Sequence, residues 1–184
     1  MFSEDYILRL IRQAVAVIAR ALKLKDEERY PEAHASLNQM LEDVLGMPAG
    51  MFDLLDDNAV LEALQNNGEL DADRLVIVAD LLSVRGDLFD AQLQPDQAQA
   101  SWQRAVTFYL EAFFHHASED EEAIKPMDAL EALAPQLDRS RLSADLLLTL
   151  FSYDERTGQL RRAAEWLDRL AAMPSMRAEA EAEQ

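Results

Sequence analysis

At 184 residues the chain is long enough for one substantial core or a short array of repeats, and 49% hydrophobic residues place it among sequences that fold. A formal net charge of −18 disfavours nucleic acid and anionic membrane surfaces as partners and favours basic ones. With no cysteine, disulfides, thiolate metal sites, iron–sulfur clusters and cysteine nucleophiles are excluded.

Abundant Ala, Leu, Glu, Gln and Arg favour helix almost throughout. A first helix is predicted over about 3–25, capped by Ser3 or Asp5. In it Tyr6, Ile7, Leu10, Ile11, Ala14, Val17, Ile18, Ala21 and Leu22 recur at three- and four-residue steps. Arg9, Arg12, Arg20, Lys23 and Lys25 make this the one basic segment of an acidic chain. A second helix should start near Tyr30-Pro31, proline being tolerated in a first turn, and stop by Gly46-Met47-Pro48. A third is expected over about 51–67, ended by Asn66-Asn67-Gly68. The fourth covers about 71–91, with Leu75, Val76, Val78, Ala79, Leu82 and Phe89 inward. The fifth covers about 95–116, through Trp102, Ala105, Val106, Tyr109 and Phe113. A sixth lies over 119–137, disturbed by Pro126 and Pro135. The seventh spans about 140–156, and the eighth about 159–173 closes before Pro174. Residues 177–184, alternating Ala and Glu, are expected to be a disordered tail, and no strand is predicted. The start lacks the positive region of a secretory signal, and the apolar stretch 14–22 is too short to span a bilayer, so a cytoplasmic protein is expected.

Across this layout one motif recurs. Ala33, Ala98 and Ala163 stand 65 residues apart, each followed four positions later by a large apolar residue: Leu37, Trp102 and Leu167. The tetrapeptides Ala79-Asp80-Leu81-Leu82 and Ala144-Asp145-Leu146-Leu147 share that register, with Ala14 one period earlier. So do Asp73-Arg74 and Asp138-Arg139. Fixed-period self-similarity marks stacked supersecondary units, with small residues where two helices cross closely and the larger neighbour filling the groove beside them.

The run Gly158-Gln159-Leu160-Arg161-Arg162-Ala163, then Leu167, Leu170 and Pro174, resembles the second half of a tetratricopeptide (TPR) repeat. Gly86, Phe89, Ala98, Trp102 and Ala105 are similar to its small–aromatic–small spacing, as are Tyr30-Pro31-Glu32-Ala33, Leu37 and Met40, with Ala21 in the place of the glycine. The interval of 65 departs from the TPR period and is close to two units. The opening Met1-Phe2-Ser3-Glu4-Asp5-Tyr6-Ile7-Leu8-Arg9-Leu10-Ile11 resembles that of an uncharacterised family of bacterial TPR-like proteins, which implies no catalytic residues. The resemblance implies an all-α, TPR-like right-handed superhelix of antiparallel helical hairpins, with about eight helices in a single domain over 1–176. Hairpins fall at about 3–46, 71–116 and 140–173, with extra helices at 51–67 and 119–137 between them.

Such a fold implies a non-enzymatic interaction module, exposing the first helix of each hairpin on a concave side. There Asp80, Ser83, Asp87 and Asp90, with Asp145, Ser152 and Glu155, are expected to form an acidic groove for a basic peptide. The wide apolar stripe of the first helix points to a homodimer through Ile7, Leu10, Ile11 and Ile18. The alternative is a small-ligand or divalent-metal-binding domain. Glu111, His115 and Glu119, spaced four apart beside His116 and Asp120, would share one face of a continuous helix. His34 reads as a packing residue. No phosphate-cradling loop, nucleophile elbow or general acid–base pair is evident, so no catalytic residue and no cofactor is assigned, and neither nucleic acid nor membrane is expected as a partner.

Overall fold

The computed structural model describes residues 2–66, 68–115 and 124–173. The expectations resting on Ser3, on His116, Glu119 and Asp120, on the first residues of the helix over 119–137, on Pro174 and on the tail at 177–184 fall outside the described residues or side chains. The fold is all-α, with nine α-helices among the described residues. The chain divides into two compact units, Met1–Leu137 and Asp138–Gln184. No described helix is long and apolar enough to cross a membrane.

The first unit contains α1 (Phe2–Asp26), α2 (Tyr30–Leu45), α3 (Ala49–Phe52), α4 (Asp57–Ala63), α5 (Ala72–Ala91), α6 (Pro95–His115) and α7 (Ile124–Leu133). Its centre is α5, which packs on α1, α2 and α6. Leu75, Ile77, Val78, Ala79, Leu81, Leu82, Val84, Gly86 and Leu88 are all buried, so apolar contact runs round the helix instead of along one stripe. Leu37 and Leu41 of α2, Phe52 of α3, Val60 of α4 and Phe108 and Leu110 of α6 complete the core with almost no exposure. Each such side chain stabilises the fold by about 1.5–3 kcal/mol.

Between α2 and α5 the single expected helix gives way to two short ones and a two-residue antiparallel pairing, Gln65–Asn66 with Glu69–Leu70. The reason is local. Asp56 takes an extended conformation and accepts a hydrogen bond from Ala59 N at 2.8 Å, which caps α4 and separates it from α3. Gly68, at φ 85°, belongs to the turn between the two short strands and not to a helix end. Arg104 of α6 ties this region down. Its guanidinium donates to Asp57 Oδ1 (2.7 Å) and to the carbonyls of Phe52 (3.3 Å) and Leu55 (2.7 Å), and lies 4.2 Å from the Phe52 ring centroid.

In the second unit α8 (Ala144–Arg156) and α9 (Leu160–Ala172) form one hairpin. The expected start near residue 140 is instead a 3-10 turn at Arg139–Arg141, and Ser143 Oγ caps α8 by accepting from Leu146 N at 3.2 Å. At the heart of this hairpin is Asp154, 1% exposed. Its carboxylate accepts from Arg162 Nε (2.9 Å), Arg162 Nη2 (2.5 Å) and Trp166 Nε1 (2.7 Å), so its charge is paired inside the core. Trp166 takes the place expected for Leu167, which is 43% exposed.

Three hairpins, α1–α2, α5–α6 and α8–α9, share one interhelical turn. Glu28, Leu93 and Gly158 each have a left-handed backbone, with φ of 58°, 59° and 76°. In each, the left-handed residue donates to the carbonyl three back, Lys25 (3.0 Å), Asp90 (2.9 Å) or Glu155 (3.1 Å). The next residue donates to the carbonyl five back, Leu24 (2.8 Å), Phe89 (2.9 Å) or Asp154 (2.7 Å). This is the Schellman pattern. Ala33, Ala98 and Ala163 then follow as the fourth residue of α2, α6 and α9, all buried. The 65-residue spacing therefore reflects three copies of one local structure.

Candidate interaction surface

Two of the residues expected in an acidic groove serve the α5–α6 hairpin itself. Tyr109 Oη donates to Asp80 Oδ1 at 2.5 Å, and Trp102 Nε1 donates to Asp87 Oδ1 at 3.1 Å. Both pairs are spaced seven residues along antiparallel helices, which sets the two carboxyls opposite the two rings. Burial raises the pKa of both carboxyls, partly offset by these hydrogen bonds. Burial and the neighbouring Asp80 charge push the Tyr109 phenol well above its ordinary value, so it remains a donor. Ser83 is half-buried and Asp90 is exposed. The open face expected on α5 is thus only partly open: Asp80 and Asp87 are half-buried and engaged by donors on α6, and Asp90 is the exposed carboxylate among the four residues.

On α8, Asp145, Ser152 and Glu155 are exposed as expected. Leu148 is exposed among them, and spacings of three and four residues put all four on one side of the helix. Asp80 and Asp145 occupy identical tetrapeptides in different settings. Asp80 lies well inside α5, whereas Asp145 lies in the first turn of α8, where its charge also suits the helix N-terminus.

The metal row is reduced to a pair. His115 Nδ1 lies 3.8 Å from Glu111 Oε2 and donates to the Glu111 carbonyl at 2.9 Å, while Glu119 lies outside the described residues. Among the described residues no group of three or more His, Asp and Glu side chains could hold a metal ion.

His34, which sequence reasoning treated as ordinary packing, joins a polar cluster between α2 and α5. Its ring centroid lies 4.8 Å from that of Phe89, the two planes tilted by 40°, and its Nε2 is 2.7 Å from Gln92 Nε2. Arg85 lies over the same Phe89 and pairs with both Asp53 oxygens at 2.7 and 2.9 Å. Burial, and then the Arg85 charge, lower the His34 pKa. Only its spacing to Phe89 and Gln92 across two helices could have revealed this, and a single sequence does not display such pairs.

The dimer stripe also needs correction. Leu10 is 3% exposed and belongs to the core with Ala14, Ala21 and Leu24, so it is not available to a second copy. Ile7, Ile11 and Ile18 are half-buried. Beyond them the apolar surface continues to Leu8, 49% exposed, and Val15, 62% exposed. Leu8, Ile11, Val15, Ile18 and Leu22 advance by three and four residues along a second seam, distinct from the core seam. Arg9, Arg12, Arg20 and Lys23 are exposed on the same helix.

No protein-family model, curated protein or solved structure matches this chain.

Proposed function

We propose that the chain is a TPR-like, non-catalytic protein-interaction module. The observation that carries this reading is the threefold recurrence of one hairpin, with its left-handed turn residue at 28, 93 and 158 and its buried alanine at 33, 98 and 163. A repeated hairpin is a scaffold: it holds helix faces rigidly while surface residues vary, and helical arrays of this kind use those faces to bind other proteins. Apolar side chains left in water on α1 and α8, Leu8, Val15 and Leu148, support the same reading, because a rigid helix presenting them has contact surface to bury. The acidic side of α8 gives a basic partner a place to dock through Asp145 and Glu155.

The test is cross-linking in native extract followed by titration of the purified pair. A saturable complex of fixed stoichiometry supports the module. Absence of any saturable partner, or turnover of a small substrate by the pure chain, overturns it.

A further inference from the structure

We infer that the second seam of α1 docks an acidic amphipathic helix belonging to another protein; this deepens the interaction reading above and rests on it. The two seams of α1 have different fates. The core seam, Leu10, Ala14, Val17, Ala21 and Leu24, faces a body in which α1 packs on α2 and α5. The second, Leu8, Ile11, Val15, Ile18 and Leu22, leaves Leu8 and Val15 exposed to water and its other three members half-buried. Its length, from residue 8 to residue 22, is about 21 Å of helix, the footprint of a four-turn partner. The alternating step of three and four residues is what a facing helix reads as knobs and holes.

Charge selects the occupant. Of the cations of α1, Arg12 and Lys23 are exposed at the edge of the seam, whereas Arg20 lies towards Glu32 of α2 and Lys25 towards Asp87 of α5. The solvent-side flank of the seam therefore carries a cation towards each end, Arg12 and Lys23, although Lys23 also makes an exposed contact with Glu27 at 3.8 Å. An antiparallel pairing of two α1 helices would set the Arg12–Lys23 flank of one copy against the same cationic flank of the other, with Arg12 towards the second copy's Lys23. A helix with Leu or Ile on one stripe and Glu beside it meets the same flank with opposite charge. The chain's overall −18 does not decide this contact, since screening over about 8 Å at physiological salt leaves the nearest charges dominant.

Two labelled probes test the inference with the full chain: a designed four-turn helix with leucines at the seam positions flanked by glutamates, and its counterpart flanked by lysines. The glutamate probe is expected to bind one to one and roughly tenfold or more tighter than the lysine probe at about 0.15 M salt, with weakening as salt rises. Val15→Asp, at an exposed position that leaves the helix content unchanged by circular dichroism, should abolish binding. Arg12→Glu with Lys23→Glu should reverse the preference. Equal binding of the two probes, no binding, or binding indifferent to Val15→Asp overturns the inference. So does sedimentation of the parent as a dimer that Val15→Asp converts to monomer, which would make the occupant a second copy. A native partner that still saturates the Val15→Asp protein would retire the seam while leaving the interaction module standing.

Discussion

Gly86 lies directly beneath the indole of Trp102: a Cβ at position 86 would sit 2.3 Å from both Cδ1 and Nε1 of that ring. The ring cannot retreat freely, since its Nε1 is committed to Asp87 and the side chain is buried between α5 and α6. Gly86→Ala should therefore destabilise the protein by about 1–3 kcal/mol, the usual range for overpacking. The first hairpin carries Ala21 and Leu37 at the corresponding positions. Gly86→Ala combined with Trp102→Leu should accordingly be less destabilised than the sum of the single changes. A double-mutant cycle by denaturant unfolding measures that coupling; strict additivity would show that the ring does not press on the glycine.

The shared turn makes a prediction of opposite sign at different copies. Glu28 and Leu93 hold left-handed backbones at φ 58° and 59°, a conformation unfavourable to side-chain-bearing residues, and Leu93 is 88% exposed. Leu93→Gly and Glu28→Gly should each stabilise their hairpin by about 0.5–1 kcal/mol, while Gly158→Ala should destabilise α8–α9 by about 1 kcal/mol. Thermal unfolding of the three variants checks the signs together.

Asp80 binds its proton more readily in the folded chain than in the unfolded chain, because burial raises its pKa. Ionisation therefore opposes folding: its contribution improves as pH falls through the raised folded value and is lost as pH rises through it. Asp80→Asn keeps an oxygen to accept from Tyr109 and removes the buried charge. The variant should be at least as stable as the parent at pH 7 and lack this component of the pH dependence. Tyr109→Phe should be destabilising, roughly 1–3 kcal/mol, by leaving that carboxylate without its donor. Unfolding free energies measured from acid to neutral pH distinguish the two. Reversal of Asp80 or Asp87 to lysine would report on hairpin integrity, not on partner binding.

His34 behaves in the opposite sense. Its folded pKa lies below the ordinary 6.5, so the unfolded chain takes up the proton first. Stability from this group is full above pH 6.5 and declines as pH falls from there towards the folded value. His34→Gln should flatten that acid-side decline, and titration of the His34 ring by NMR should show a midpoint below the ordinary 6.5.

The hairpins were legible because each depends on local chemistry: proline or a turn, then a small residue, at constant spacing. The predicted helices over 3–25, 71–91 and 95–116 match α1, α5 and α6 closely for that reason. The segment after α2 was misread because Asp56 and Gly68 look like ordinary helix punctuation until the strand pairing and the Arg104 contacts are seen. The engagement of Asp80 and Asp87 by Tyr109 and Trp102 was not legible because one inward stripe was assigned to α5, whereas it packs against three helices. Position in the period does not reveal enclosure, and Asp80 and Asp145 show how identical tetrapeptides part company once one of them starts a helix.

The enclosure of α5 has a consequence for biosynthesis. Two of its three covers, α1 and α2, precede it in the chain and the third, α6, follows. As the nascent polypeptide lengthens, this greasy rod reaches solvent with shelter already made on two flanks, and waits only for the segment translated next. Removing the N-terminal pair would release the same rod bare, and such a truncation should clump instead of yielding a smaller stable protein.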